Sequence, residues 1–332
     1  MKALVYRQKN LLSEFGIKLE EVVDPKLAET DVLVRVKAFG VNPGEALFRR
    51  ILDAPEGEYR ILGYEFSGTV EKVGLNVKGF NIGDRVFGLG DTTRQGAYAE
   101  LVAADYRSIA KLPDFAPFDH AAAAPVATVT AYESLFRFNN ALPPNVKTVL
   151  VLGAAGGVGS MAIQLLKAKT DVIVIATASK PESQSWVEEL GADIIVNHHA
   201  ADIVNQLKNK GISQVDFVFA VNGLKDALSW LPELVRPYGY LATIEGVNGL
   251  DLSRLMNKSI TIFLEMVFTK SLFKADQESQ GDILRELIKF VAEGKIKSPV
   301  KQSLNGLNED NICQAHTTLE QGNTIGKIVI NV

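Results

Sequence analysis

Cysteine is nearly missing from this chain: Cys313 is the one thiol in 332 residues. An internal disulfide is thereby excluded, as is a zinc site assembled from several thiolates, and a reducing, cytoplasmic setting is expected. An excess of charge of one sign is missing too. With 35 Lys and Arg against 39 Asp and Glu, a formal net charge of -4 and no dense cationic run, the chain has no footprint for a polyanion. Small molecules are the expected partners, and nucleic acid is not. The opening MKALVYRQKNLLSEFG lacks the apolar core that directs export, because Arg7, Lys9 and Glu14 interrupt it. One stretch, Thr148 to Leu166, runs 19 residues without a charge, long enough to span a bilayer as a helix. Gly153, Gly156, Gly157 and Gly159 in its middle would weaken one continuous helix and suit a strand, a tight turn and a new helix instead, so no membrane association is expected. Internal repeats and low-complexity tracts are also lacking.

What is present is apolar material for large cores, 47% of residues against 22% charged, on a length that points to two domains. The first hundred residues hold short alternating segments, such as VLVRVKA at 32–38 and GTVEKV at 68–73, set apart by Gly, Pro and Asn; this predicts a mostly β domain. An alanine-rich, helix-favouring stretch begins at Ala121, and Pro143-Pro144 punctuates the chain beyond it. The apolar runs Val149–Leu152, Val172–Ala176, Ile194–Val196, Val215–Ala220 and Tyr240–Ile244 then alternate with helical-period segments. Parallel strands with crossover helices are the expected result, and Ile260–Leu264 would end that sheet. The tail predicts helices over Gly281–Glu293 and Asn308–Glu320 and a last strand, Lys327–Val332, that returns to the first domain.

The strongest chemical signal is TVLVLGAAGGVGSMAIQLLKA, where a buried strand runs into a glycine turn and then a helix, the order a dinucleotide site requires. Gly156 lets the backbone approach a pyrophosphate, Gly159 lets helix and strand pack closely, and Gly157 and Val158 open the helix, whose first N–H groups have no partners of their own. The first glycine of the usual GxGxxG pattern is replaced by Ala154. The end of the second strand decides the cofactor. An NAD site usually carries an Asp or Glu there for the ribose 2′-hydroxyl. Here Ala176-Thr177-Ala178-Ser179-Lys180-Pro181 offers instead Ser179 and Lys180, which donate hydrogen bonds and positive charge to a 2′-phosphate, so NADPH is expected. The plainer reading is that Ser179 or Lys180 only begins the helix opened by Pro181, and Glu182 nearby works against the phosphate.

Besides the AAGGVG turn, the chain contains Gly40-Val41-Asn42-Pro43-Gly44-Glu45, Gly83-Asp84-Arg85-Val86-Phe87, Gly96-Ala97-Tyr98-Ala99-Glu100, Val129-Thr130-Ala131-Tyr132 and Gly326-Lys327-Ile328-Val329. With these it resembles, over nearly its whole length, the medium-chain dehydrogenase/reductase superfamily, and within it the zinc-free quinone oxidoreductase branch that includes zeta-crystallin. Leu264 to Thr269 resembles a subgroup often labelled zinc-type alcohol dehydrogenase-like. The resemblance implies an α/β fold: a doubly wound Rossmann domain at 126–266 and a GroES-like, mostly β catalytic domain from 1–125 and 267–332, with the active site in the cleft. It also implies a homodimer joined through Ser259–Leu264.

Zinc-dependent relatives hold their metal with a Cys, a His and a second Cys, and those positions here are Asn42, Tyr64 and Val126. None supplies a thiolate or an imidazole, so a metal-free reaction is expected. His120, His199 and His316 form no ligand pattern, and the neighbouring rings of His198 and His199 are expected to diverge. By resemblance His198 lies beside the adenine ribose phosphate.

Without a metal, the acceptor must itself be electrophilic, so a quinone or α,β-unsaturated carbonyl suits the site better than a simple ketone. The oxygen that gains charge needs a donor, and the family-like candidates are Asn42 and Tyr64, with Thr130 beside the nicotinamide. Tyr64 also reads as a pocket wall, and Asn42 as a turn-forming amide. Glu65 and Arg85 read as a structural charge pair between strands. Two other functions fit the same cofactor: an enoyl-thioester reductase, which would need a basic groove for its carrier, and a non-enzymatic NADPH-binding protein. Substrate choice depends on loops such as Leu52 to Arg60.

Overall fold

The strand Asp31–Val41 buries Val32, Val34 and Val36 and exposes Arg35 and Lys37, the period-two pattern of a sheet with one face against a core. It is the hub of a seven-stranded sheet ordered Val300–Asn305, Lys327–Asn331, Asp31–Val41, Glu65–Val73, Arg85–Leu89, Ile109–Lys111, with Leu101–Asp105 also paired to the hub. Register places Ile328 opposite Val41 and Val329 opposite Gly40, so Lys327 arrives beside Asn42. A three-stranded sheet of Lys18–Glu21, Lys2–Tyr6 and Arg60–Ile61 completes this part.

The computed structural model describes residues 1–199, 202–322 and 324–332. The chain divides into one unit of Met1–Val126 with Phe268–Val332 and another of Ala127–Val267. In the second unit six strands form one wholly parallel sheet, ordered Ile194–Val196, Ile173–Thr177, Thr148–Leu152, Val215–Ala220, Val235–Thr243, Thr261–Leu264. Sequence order reverses direction at the first strand, Thr148–Leu152, which is the doubly wound arrangement. Phe217, Phe219, Val149 and Val151 are fully buried in it. The fold is therefore α/β, a Rossmann sheet with a mostly β partner. No helix among the described residues is long and apolar enough to cross a membrane.

The two tail helices form at Glu278–Ala292 and Glu309–Glu320, and Asn308 caps the second by accepting from the Asn311 amide at 2.9 Å. That second helix buries His316 completely. The Nε of Arg49, itself fully buried, donates to His316 Nδ1 at 3.2 Å. The imidazole must therefore be neutral, with its proton on Nε2 facing the Tyr98 hydroxyl at 3.5 Å. Burial first, and Arg49 second, hold His316 down to about 3. The unfolded chain protonates this residue near 6.5, so between 6.5 and about 3 the unfolded state binds the extra proton. Stability from this group is complete above pH 6.5 and falls with acidification by up to about 1.4 kcal/mol per pH unit. Urea midpoints measured from pH 6.5 to 4 should show that slope in the wild type and lose much of it in His316→Gln; equal slopes would refute the assignment.

Candidate active site

The glycine turn has the local geometry of a phosphate cradle. Gly153 adopts a φ of +70°, a conformation that suits glycine, and so takes the tight turn that the pattern otherwise assigns to the position of the buried Ala154. The Gly153 amide donates to Thr177 Oγ1 at 3.1 Å, which ties the turn to the end of the second strand. A Cβ on Gly159 would lie 2.5 Å from the Gly153 carbonyl oxygen and 2.6 Å from Ala154 Cα, so only glycine lets the helix Gly157–Lys169 sit this close. A Cβ on Gly156 would meet only the Gly153 oxygen, at 3.6 Å; the space in front of it is open. Helix geometry leaves the N–H groups of Gly157 and Val158 without intrahelical partners, facing the side a pyrophosphate would approach. These residues fit a dinucleotide. Gly159→Ala should cost about 1–3 kcal/mol in thermal unfolding through overpacking, whereas Gly156→Ala should fold normally and weaken only nucleotide binding in a fluorescence titration. Equal stability losses would contradict the division.

At the end of the second strand Ser179 is half-buried and Lys180 exposed. Lys180 caps the helix Pro181–Glu189 through its backbone, its N–H donating to Ser183 Oγ at 3.1 Å. The helix-starting reading is thus correct for its backbone, while its ammonium has no ion-pair partner among the described residues. His198 and His199 do not diverge: they share a turn after the third strand that brings their ring centroids to 4.2 Å. Burial, then His199, holds His198 below its ordinary value. Thr130 lies on the helix Pro125–Leu135, buried, its carbonyl accepting from Ser134 Oγ at 2.8 Å and its hydroxyl without a hydrogen bond among the described residues.

In the first unit, Asn42 and Tyr64 are brought together by a residue given no role in the sequence reading, Glu45. The helix Pro43–Ile51 starts on Asn42, and three residues on Glu45 turns back, accepting from the Asn42 amide at 2.7 Å and from Asn42 Nδ2 at 3.2 Å. The same carboxylate accepts from the Tyr64 amide at 3.2 Å. Asn42 Nδ2 also donates to Glu65 Oε1 at 3.0 Å, and Asn42 Oδ1 accepts from the Lys327 ammonium. Both hydrogens of the Asn42 amide are therefore directed at carboxylates in this arrangement. Lys327 pairs with Glu65, both buried, and Glu65 Oε2 accepts from the Val126 amide at 2.9 Å. Burial pushes Glu45 up to about 7, with Lys327 pulling it down and Glu65 raising it further.

Tyr64 is buried with its ring edge-on to Phe48 at 6.0 Å and Phe268 at 5.4 Å. Its hydroxyl makes no hydrogen bond among the described residues, and burial raises its pKa well above the usual phenol value, so it stays a donor. Glu65 and Arg85 are not paired. The antiparallel ladder sets Glu65 opposite Leu89 and Arg85 opposite Thr69, four residues away. Arg85 instead donates to the carbonyls of Pro113, Asp114 and Ala116 and lies over the Phe118 ring.

Zinc does not fit this donor set. Positions 42, 64 and 126 are gathered at Glu65, but they bring an amide, a phenol and a valine, and the carboxylate already holds an ammonium. Among the described residues no three His, Cys, Asp or Glu side chains are grouped as a metal ion needs.

Comparison with known proteins agrees with this architecture. A family model for the alcohol dehydrogenase GroES-like domain matches residues 28–114, and one described as zinc-binding dehydrogenase matches residues 190–330. A zinc-type alcohol dehydrogenase-like protein of Staphylococcus aureus is 35% identical over 341 residues, covering 100% of both chains. A solved structure from Rhizobium etli CFN 42 is 33% identical with a TM-score of 0.95, covering 100% of this chain and 98% of its own. The Escherichia coli quinone oxidoreductase complexed with NADPH is 25% identical with a TM-score of 0.84 over 100% of both chains. Glycine turn, parallel six-stranded sheet, GroES-like unit and full-length relatives agree: this chain is an oxidoreductase of the medium-chain dehydrogenase/reductase superfamily.

Proposed function

We propose that the protein transfers a hydride from NADPH to a quinone or α,β-unsaturated carbonyl without a metal. The observation that carries this reading is the pair of charge patterns: a free Lys180 ammonium where an NAD site has a carboxylate, and a buried Lys327 ammonium on the carboxylate around which zinc ligands would gather. NADPH supplies the hydride. The chain's residues bind and orient it: the first-turn amides of Gly157 and Val158 take the pyrophosphate, Ser179 and Lys180 the 2′-phosphate, His198 the adenine side, and Thr130 the nicotinamide side. With no Lewis acid, the acceptor carbon must already be electron-poor. The acceptor oxygen gains charge as the hydride arrives, and Tyr64, with a free hydroxyl and a proton it does not lose at neutral pH, donates to that oxygen. Asn42 serves by fixing Glu45 and Glu65. The quinone oxidoreductase relative complexed with NADPH supports the reading.

The same reading extends to a homodimer. The strand Thr261–Leu264 ends the parallel sheet, and Leu264 is exposed; pairing with a second copy would cover that edge. The deciding assay follows NADPH and NADH oxidation against quinones, enones and enoyl thioesters. Turnover of quinones or enones with NADPH favoured is expected. Turnover confined to thioesters, or tight NADPH binding with no acceptor reduced, would overturn the reading.

A further inference from the structure

We propose that Lys327 is the resident cation of this site, ordering Asn42 and Glu45 and through them Tyr64. The proposal rests on the reading of Tyr64 as donor to the acceptor oxygen. Three observations carry it. First, three separate segments converge on one carboxylate: Asn42 Nδ2 lies 3.0 Å from Glu65 Oε1, the Val126 amide 2.9 Å from Oε2, and Tyr64 precedes Glu65 in the chain. Second, the cation at that carboxylate is built in. The Lys327 ammonium contacts Glu65 Oε1 and Asn42 Oδ1 and lies 3.4 Å from the Val41 carbonyl oxygen, an all-oxygen shell for a positive charge. Third, the contacts form a continuous chain to Tyr64. Lys327 fixes which way the Asn42 amide faces, Asn42 Nδ2 then meets Glu45 Oε1 at 3.2 Å, and the same oxygen holds the Tyr64 amide at 3.2 Å.

Without the ammonium, Asn42 Oδ1 loses its donor, and Glu45 and Glu65 face each other across one amide with no positive charge between them. The Asn42 amide is then free to flip, Glu45 is no longer fixed by it, and the Tyr64 amide loses a defined acceptor, leaving the Gly90 amide on the Tyr64 carbonyl to hold that backbone. A metal ion at Glu65 would have to displace the ammonium or sit beside it against like-charge repulsion. Lys327 is thus a positioning residue: it acts on the acceptor through Asn42, Glu45 and Tyr64.

The test is chemical rescue. Lys327→Ala leaves room for n-propylammonium, which restores the missing charge and N–H donors. We expect kcat for the quinone or enone to fall on the order of 100-fold at an unchanged NADPH Kd. Propylammonium should restore it at least tenfold and raise Tm, while 1-propanol and tetramethylammonium do neither. A rise in Tm with no recovery of kcat would make Lys327 structural only and overturn the proposal, as would wild-type kcat in the unrescued variant. Should Lys327→Ala not fold, the neutral pair Glu65→Gln with Lys327→Met replaces it; wild-type kcat there overturns the proposal, and a folded protein with kcat reduced on the order of 100-fold supports it. If the wild type reduces no acceptor, the reading of function falls, and the amine-dependent Tm alone decides whether a cation orders the site; no rise with propylammonium would then overturn the proposal.

Discussion

Replacing Lys180 by glutamate is expected to lower kcat/KM for NADPH on the order of 100-fold and to leave that for NADH nearly unchanged, reversing the preference. The physical basis is local. The backbone of Lys180 already caps the helix Pro181–Glu189, so the substitution keeps a residue of similar length at a position whose structural work is done by its N–H and by Ser183. Only the charge proposed to face a 2′-phosphate is inverted, and Glu182, two residues on, adds to the repulsion. Because the side chain is exposed, the penalty should shrink as salt is raised toward 1 M, where charges are screened within about 3 Å. Steady-state kinetics with both nucleotides at low and high salt measure this directly. An unchanged NADPH to NADH ratio would show that the phosphate is held elsewhere.

Lys327→Met should destabilise the protein by about 3–5 kcal/mol, the ordinary cost of stranding a buried carboxylate. Glu65 is completely buried and Glu45 nearly so, and the methionine leaves both without a cation. Adding Glu65→Gln to the same chain should recover most of that loss, because a neutral amide next to a thioether leaves no unpaired charge. Urea unfolding of the two single variants and the double variant gives the coupling energy. Additive losses would mean that the Lys327 ammonium and the Glu65 carboxylate do not depend on each other.

The Rossmann sheet was legible in the sequence because its central strands, Thr148–Leu152, Ile173–Thr177 and Val215–Ala220, are largely apolar runs, the pattern of parallel strands buried on both faces, whereas the start of Val235–Thr243 is polar and exposed and was not read as strand. The strand Val300–Asn305 was not: it alternates half-buried and exposed positions in a polar segment at the edge of its sheet, and only its parallel partner, Lys327–Asn331, shows why it forms. The glycine turn was readable to the residue, except that Gly153 rather than a glycine at position 154 takes the left-handed turn. The charged centre was harder. The Asn42-x-x-Glu45 spacing ahead of a helix is a capping signal visible in the sequence, but its use to hold Tyr64 is not. The Lys327 pairing with Glu65 joins opposite ends of the chain and follows only from strand register. The expected Glu65–Arg85 pair failed for the same reason: two charges on adjacent strands meet only if the ladder sets them opposite.

The most direct measurement is metal content against turnover on one preparation. Protein stripped with a chelator and shown by elemental analysis to hold no zinc should oxidise NADPH with a quinone or enone as fast as before, and added zinc should not raise the rate. Turnover that vanishes with the zinc and returns in proportion to it would contradict the account.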